Sequence, residues 1–213
     1  TVGRVGPHLE VSIVDPVTNE VVGRGEPGEL CTKGYSVMLG YWEADDKTAE
    51  AIVDGWMHTG DLGVMDEDGY VAITGRIKDI LITAGGKNLS PTEIENTIKA
   101  SPYIKECIVI GEARKYVSAL IQIDFDTVAK WAEQERIAYT TFRSLTEQPQ
   151  VNELIQAEVN KGNEQLPQVA QIKRFHLLTK ELDHDDDEVT ATMKVRRSNI
   201  YEKYTEVIES LYA

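Results

Sequence analysis

Apolar and polar positions alternate near the start of the chain. Leu9, Val11 and Ile13 are interleaved with Glu10 and Ser12, the period-two pattern of a half-buried strand. Turn-forming residues follow at 16–19 and 23–28, and residues 29–33 read as another short strand. Residues 43–53 (EADDKTAEAIV) fit a short amphipathic helix. The DEDG turn at 66–69 separates residues 62–65 from 70–74, which predicts a β-hairpin. A β-rich first third is expected.

The pattern changes after Gly75. Residues 80–83 predict a short apolar strand and residues 84–87 (AGGK) a flexible turn. Ser90-Pro91-Thr92-Glu93 predicts a helix start, with Ser as cap, Pro in the first helical position and Glu able to close a capping box. Ile94 and Ile98 then share a face. Strands are expected over 107–111, 117–124 and 172–178, and helices over 127–136 and 151–165. A terminal amphipathic helix over 198–212 would carry Ile200, Tyr204, Val207, Ile208 and Leu211. Strands mixed with helices predict an α+β domain from about residue 77 onward.

Composition narrows the partners. A chain of 213 residues with 41% hydrophobic and 27% charged residues has the make-up of an ordinary globular protein. A formal net charge of -14 argues against nucleic acid or an anionic membrane as the main partner. No apolar run approaches the ~20 residues of a transmembrane helix. The opening TVGRVGPHLE has neither an initiator Met nor a signal peptide and reads as an arbitrary cut, so the chain is expected to be a fragment. Cys31 and Cys107 form no CxxC pair and sit in apolar runs, as buried free thiols of a reducing cytosol would. The acidic run at 183–188 (DHDDDE) lacks the Gly and the distal Glu of an EF-hand loop; a solvated loop is expected there and no metal site.

Three runs carry candidate chemistry: DGWMHTGDLG at 54–63, GRIKDILITAGGKNLSPTEIE at 75–95 and TATMKVRR at 190–197. Asp61 in HTGD is either a turn residue or a carboxylate able to accept two hydrogen bonds from neighbouring ribose hydroxyls, with Gly60 allowing close backbone approach. Arg76 either pairs with Asp79 on the surface or brings a fixed fork of donors to ribose or phosphate oxygens. Gly85-Gly86 is a turn or a pair of backbone N–H groups for an anion. Lys194, among semi-apolar neighbours, is either exposed and idle or a point cation. Joining a carboxylate to an α-phosphate brings two anions together, and a cation between them would stabilise that transition state.

The order of these runs, with GELCTKGYSVMLGYW at 28–42 ahead of them, resembles the adenylate-forming superfamily of acyl-CoA synthetases, adenylation domains and luciferases. The likeness covers essentially the whole chain and is greatest to bacterial long-chain fatty-acid–CoA ligases. It implies that residues 1–76 are the β-rich end of a large N-terminal AMP-binding domain and residues 77–213 a small mobile α+β C-terminal domain. By the same resemblance Asp61 and Arg76 hold the ribose of ATP or AMP, Lys78 is the hinge, and Lys194 catalyses adenylation. Gly85, Gly86 and Lys87 line the CoA tunnel, although relatives often carry arginine at the position of Lys87.

The implied chemistry has two steps. A fatty acid and Mg-ATP give an acyl-adenylate and pyrophosphate, and CoA then displaces AMP after the domain has rotated. The family's Ser/Thr/Gly-rich phosphate loop and its magnesium-binding glutamate are absent from these residues and lie upstream in relatives, so the fragment alone is expected to be inactive. A cytoplasmic location is expected, with peripheral association at the inner face of the membrane left open. Two other readings stand beside this one: a ligase for aryl or medium-chain acids or for carrier-protein loading, and a non-catalytic nucleotide-binding module.

Overall fold

The computed structural model describes residues 1–213, which divide into two compact units, Thr1–Ile80 and Leu81–Ala213. Strands and helices are both abundant, and the fold class is α+β.

The first unit is built on strands β1 (Gly3–Arg4), β2 (Leu9–Val14), β3 (Gly28–Gly34), β4 (Ile52–Val53), β5 (Trp56–Met65) and β6 (Tyr70–Arg76). They form one antiparallel sheet in the order β1-β6-β5-β3-β2, with β4 added on β5. Its core is small: Ile13, Met65 and Val71 are buried, with Val11, Val22 and Leu30 packed against them. Asp54 and Gly55, with φ of 51° and 80°, make the two-residue turn between β4 and β5, where an Asp-Gly pair supplies the left-handed conformations required. Helix α1 (Asp45–Ala51) is shorter than residues 43–53 because β-branched Ile52 and Val53 pair with β5 instead of continuing it. Residues 56–61 are strand, so the HTGD tetrapeptide is not the turn that its composition allows.

The second unit has a three-layer arrangement. Strands β9 (Ile104–Ile110), β10 (Val117–Ile123) and β11 (Ile172–Leu177) form a sheet in the order β11-β10-β9, with β10 parallel to β11 and antiparallel to β9. All seven residues of β10 are buried, as expected of a strand covered on both faces. Cys107, Val109, Ala119, Ile121 and Ile123 pack with α2 (Pro91–Ile98), α3 (Phe125–Gln134), α4 (Phe142–Thr146) and α5 (Pro149–Asn163). The alternate residues Ile108, Ile110 and Leu120 pack on the other face with Ile200, Ile208 and Leu211. The two cysteines are both buried and free.

A short hairpin of β7 (Leu81–Ile82) and β8 (Asn88–Leu89) precedes α2, whose cap Ser90 accepts a hydrogen bond from Glu93 N with Pro91 at the first position. One element here was not expected from the sequence, and one expectation is corrected. Helix α4 escaped the hydrophobic pattern because it is only five residues long; Thr141 and Ser144 close a capping box at its start. The terminal segment is two helices, α6 (Arg197–Lys203) and α7 (Thr205–Ser210), broken at Tyr204, where φ is -104° and ψ is 20°. The Thr205 hydroxyl donates to the carbonyls of Tyr201 and Glu202 at the break, competing with regular helix there.

Candidate functional site

In the first unit the site grows from a distortion of β5. His58 lies opposite Cys31 and Leu62 opposite Glu29, so four residue steps on β5 face two on β3. Thr59-Gly60-Asp61, facing Leu30 alone, form a bulge, and a bulge re-aims the side chain it carries. Gly60 has a φ of +71°, a conformation that favours glycine. Glu29, only 6% exposed, clamps the bulge: one carboxylate oxygen accepts from Gly60 N at 2.9 Å and the other meets His58 Nδ1 at 2.8 Å. The Thr59 hydroxyl donates to Leu30 O at 2.7 Å and accepts from Asp61 N at 3.1 Å.

Asp61 is thereby set opposite Arg76 of β6, whose Nε donates to Asp61 Oδ1 at 2.8 Å. Arg76 therefore pairs with Asp61 and not with the neighbouring Asp79. Its guanidinium stays largely exposed, which leaves further donors beside the carboxylate for an oxygen-rich ligand. Lys78 sits exposed in a single 3₁₀ turn, Ile77–Asp79, directly after β6. Glu29 and His58 were not singled out from the sequence; an acidic residue at the head of a buried strand was the only signal for Glu29.

In the second unit Gly85, Gly86 and Lys87 are exposed at the tip of the β7–β8 hairpin. The tip is closed by Thr83 N donating to Lys87 O at 3.0 Å and Gly86 N to Thr83 O at 2.8 Å, and Gly86 takes a φ of +71°. Lys194 is on a different turn. Val189 and Val195 form an isolated bridge, and Thr190 N donates to Lys194 O at 2.8 Å across it. The Thr190 hydroxyl accepts from Lys194 N at 3.0 Å, and Met193 at the apex has a φ of +61°. The Lys194 side chain is exposed and makes no ion pair within this unit. The two arginines after it are both engaged, Arg196 with Asp187 and Arg197 with Glu95.

The acidic run is exposed over residues 183–187, as expected of a solvated loop, and Glu188 at its end is the exception. Asp186, Asp187 and Glu188 all form ion pairs, and Glu188 is completely buried. Two groups of side chains could hold a metal: Glu29, Cys31 and His58, and Asp183, His184 and Asp185. Neither suits magnesium, a hard ion that prefers oxygen ligands, because the first contains a thiol and both contain an imidazole. Burial and the neighbouring Glu29 push the Cys31 thiol up to about 11, so it is a protonated packing group at neutral pH.

A model described as AMP-binding enzyme C-terminal domain matches residues 78–213, and one described as AMP-binding enzyme matches residues 1–42. The chain belongs to the AMP-binding enzyme family. Among its AMP-binding relatives, the long-chain-fatty-acid–CoA ligase FadD15 of Mycobacterium tuberculosis is 37% identical over 198 residues, covering 92% of this chain and 33% of the ligase. The putative fatty-acid–CoA ligase fadD11 of the same organism is 41% identical over 215 residues, covering 100% of this chain and 36% of the relative. The chain thus spans about a third of the length of the curated relatives it matches. ATP-bound MatB from Rhodopseudomonas palustris superposes with a TM-score of 0.68 at 28% identity, over 96% of this chain and 36% of MatB. The adenylation domain of a carboxylate reductase from Mycobacterium chelonae shares the fold, with a TM-score of 0.76 at 21% identity over 99% of this chain and 32% of that one.

Proposed function

We propose that this chain is the C-terminal part of an AMP-forming long-chain fatty-acid–CoA ligase. The observation that carries the reading is Lys194: an unpaired, exposed ammonium on a closed turn, in a protein with a net charge of -14. The Asp61–Arg76 pair supports it, since a carboxylate flanked by a guanidinium is suited to the paired hydroxyls of a ribose. The relatives' names and the ATP-bound neighbour favour the same chemistry.

In the first step a carboxylate oxygen of the fatty acid attacks the α-phosphorus of ATP. The new O–P bond forms as the α–β anhydride breaks and pyrophosphate leaves. Lys194 offsets the charge that accumulates between the two anions, and Asp61 and Arg76 hold the nucleoside. ATP enters as its magnesium complex, and no carboxylate of this chain is assigned to the ion. In the second step the sulfur of CoA attacks the acyl carbon, AMP leaves with the electron pair of the broken C–O bond, and the thiol proton passes to solvent. Gly85, Gly86 and Lys87 line the path of the thiol. Lys78 is the pivot by which residues 77–213 turn between the two steps against a larger domain that ends with residues 1–76.

The test is acid-dependent ATP–pyrophosphate exchange by the full-length enzyme with Lys194→Ala. Loss of exchange with folding intact supports the reading. Unchanged exchange removes Lys194 from the chemistry and favours a nucleotide-binding module without catalysis.

A further inference from the structure

Glu188 is a side chain that the proposed chemistry does not use, yet it is completely buried within an otherwise exposed acidic run. Its surroundings account for the burial. Lys203 Nζ lies 2.8 Å from Oε1, to which the Tyr204 hydroxyl also donates at 2.9 Å. Lys180 Nζ lies 2.8 Å from Oε2, which also accepts from Asp183 N at 3.1 Å. Both carboxylate oxygens are thus doubly satisfied, by groups from the end of α6, from the helix break, and from the segment after β11. A buried charge is retained only when it is paired and hydrogen-bonded in this way.

The backbone of the same residue starts the lysine turn. Glu188 O accepts from Arg196 N at 2.9 Å, the Val189–Val195 bridge follows, and Thr190 N reaches Lys194 O. Val189 is buried beside it at 3% exposure. On the outer edge, Asp187 pairs with Arg196 at 2.7 Å and its carbonyl accepts from Asn199 Nδ2 at 2.9 Å. Those outer contacts are exposed and contribute little individually. The inner one is buried, and it joins the base of the turn both to the segment after β11 and to the junction of α6 and α7.

We propose that Glu188 is a positioning residue for Lys194: its carboxylate, gripped by Lys180, Lys203 and Tyr204, fixes the base of the turn that presents the ammonium. This inference rests on the adenylation role given to Lys194. The acidic run then serves as the footing of a cationic group and not as a ligand site. Its effect should be confined to the step that uses Lys194, because the hairpin carrying Gly85 and Gly86 is held by bonds of its own.

The experiment uses the full-length enzyme with Glu188→Gln, which keeps the size of the side chain but removes its charge and turns one of its two acceptor oxygens into an N–H donor. Three quantities are measured: kcat and KM of ATP–pyrophosphate exchange, the rate of thioester formation from supplied acyl-adenylate and CoA, and the thermal midpoint. The expected result is a fall of about tenfold or more in the kcat of exchange, since an ångström of misplacement can cost ~10²-fold, with KM and the thioester step within about twofold. Unchanged exchange, or an equal fall in both half-reactions, overturns the proposal. If Glu188→Gln yields no folded protein, Lys203→Met removes one grip and leaves Lys180 and Tyr204. A selective fall in exchange there sustains the proposal, and its absence overturns it. Lys194→Ala assayed in parallel separates the two ideas: if that variant retains exchange, the role of Lys194 has failed and not merely its positioning.

Discussion

Arg197 Nη2 donates to both carboxylate oxygens of Glu95, 102 positions away in sequence, at 2.7 and 2.6 Å. The pair ties the start of α6 to α2, and Glu95 also accepts from Val109 N at 2.8 Å on β9. Burial pushes the Glu95 carboxyl up, and Arg197 opposes that shift. Breaking such a pair from one side strands a charge, so Arg197→Met should cost about 3–5 kcal/mol. The double change Glu95→Leu with Arg197→Met should recover most of that loss. Chemical denaturation of the single and double variants measures both.

Stability should depend on pH through the Glu188 cluster. Burial alone would raise the Glu188 carboxyl, but Lys180, Lys203, Asp183 N and Tyr204 together hold it below its ordinary 4.5. Lys180 holds the Asp186 carboxyl below 3.8. For depressed acids the stabilisation is present above the ordinary value and is lost as pH falls through the folded one. Lys180 runs the other way. Burial lowers it, but Asp186 and Glu188 raise it above 10.5, so its contribution is present below that value and is lost as pH rises past the folded one. Thermal midpoints should therefore plateau between pH 4.5 and 10.5 as far as this cluster is concerned. Glu188→Gln should flatten the acid limb.

Glu29→Ala removes both clamps from the bulge that carries Asp61. A donor left unpaired in a buried setting costs about 1–3 kcal/mol. The KM for ATP of the full-length enzyme should rise more than kcat falls, because nucleoside positioning and not the lysine is disturbed. An unchanged KM would detach the clamp from nucleotide binding.

Gly86→Ala separates backbone strain from ligand access. No neighbour lies within 4 Å of the added carbon, so the cost is that of the left-handed conformation, about 1–2 kcal/mol. Thioester formation should fall while exchange persists. Gly85→Ala, where the nearest atom is Thr83 Oγ1 at 3.9 Å and φ is not positive, is the control for strain.

Elements with strong local signals could be read from the sequence: β2 from its alternation and α2 from Ser90 and Pro91. What escaped depends on partners remote in the chain. The apolar periodicity of residues 198–212 runs straight through the break at Tyr204, whose hydroxyl donates to Glu188 16 positions away. The burial of Glu188 at the end of the exposed acidic run left no local trace, because nothing in the sequence marks Lys180 and Lys203 as its counter-ions. Asp61 and Arg76 could be picked out by motif, but their direct contact could not, because it needs the register of β5 on β6. Glu29 shows the same limit, since a clamp on Gly60 31 positions away leaves no local trace.

The small core of the first unit has a practical consequence. With so few buried apolar groups and with Leu39 and Trp42 in solvent, Thr1–Ile80 has a thin margin against unfolding compared with Leu81–Ala213, whose sheet is covered on both faces. Limited proteolysis of this chain should trim from its N-terminal side and leave a resistant core beginning near Leu81. Trp42 and Trp56 would be lost with the trimmed portion and Trp131 retained, so mass spectrometry and fluorescence would record the same cut independently.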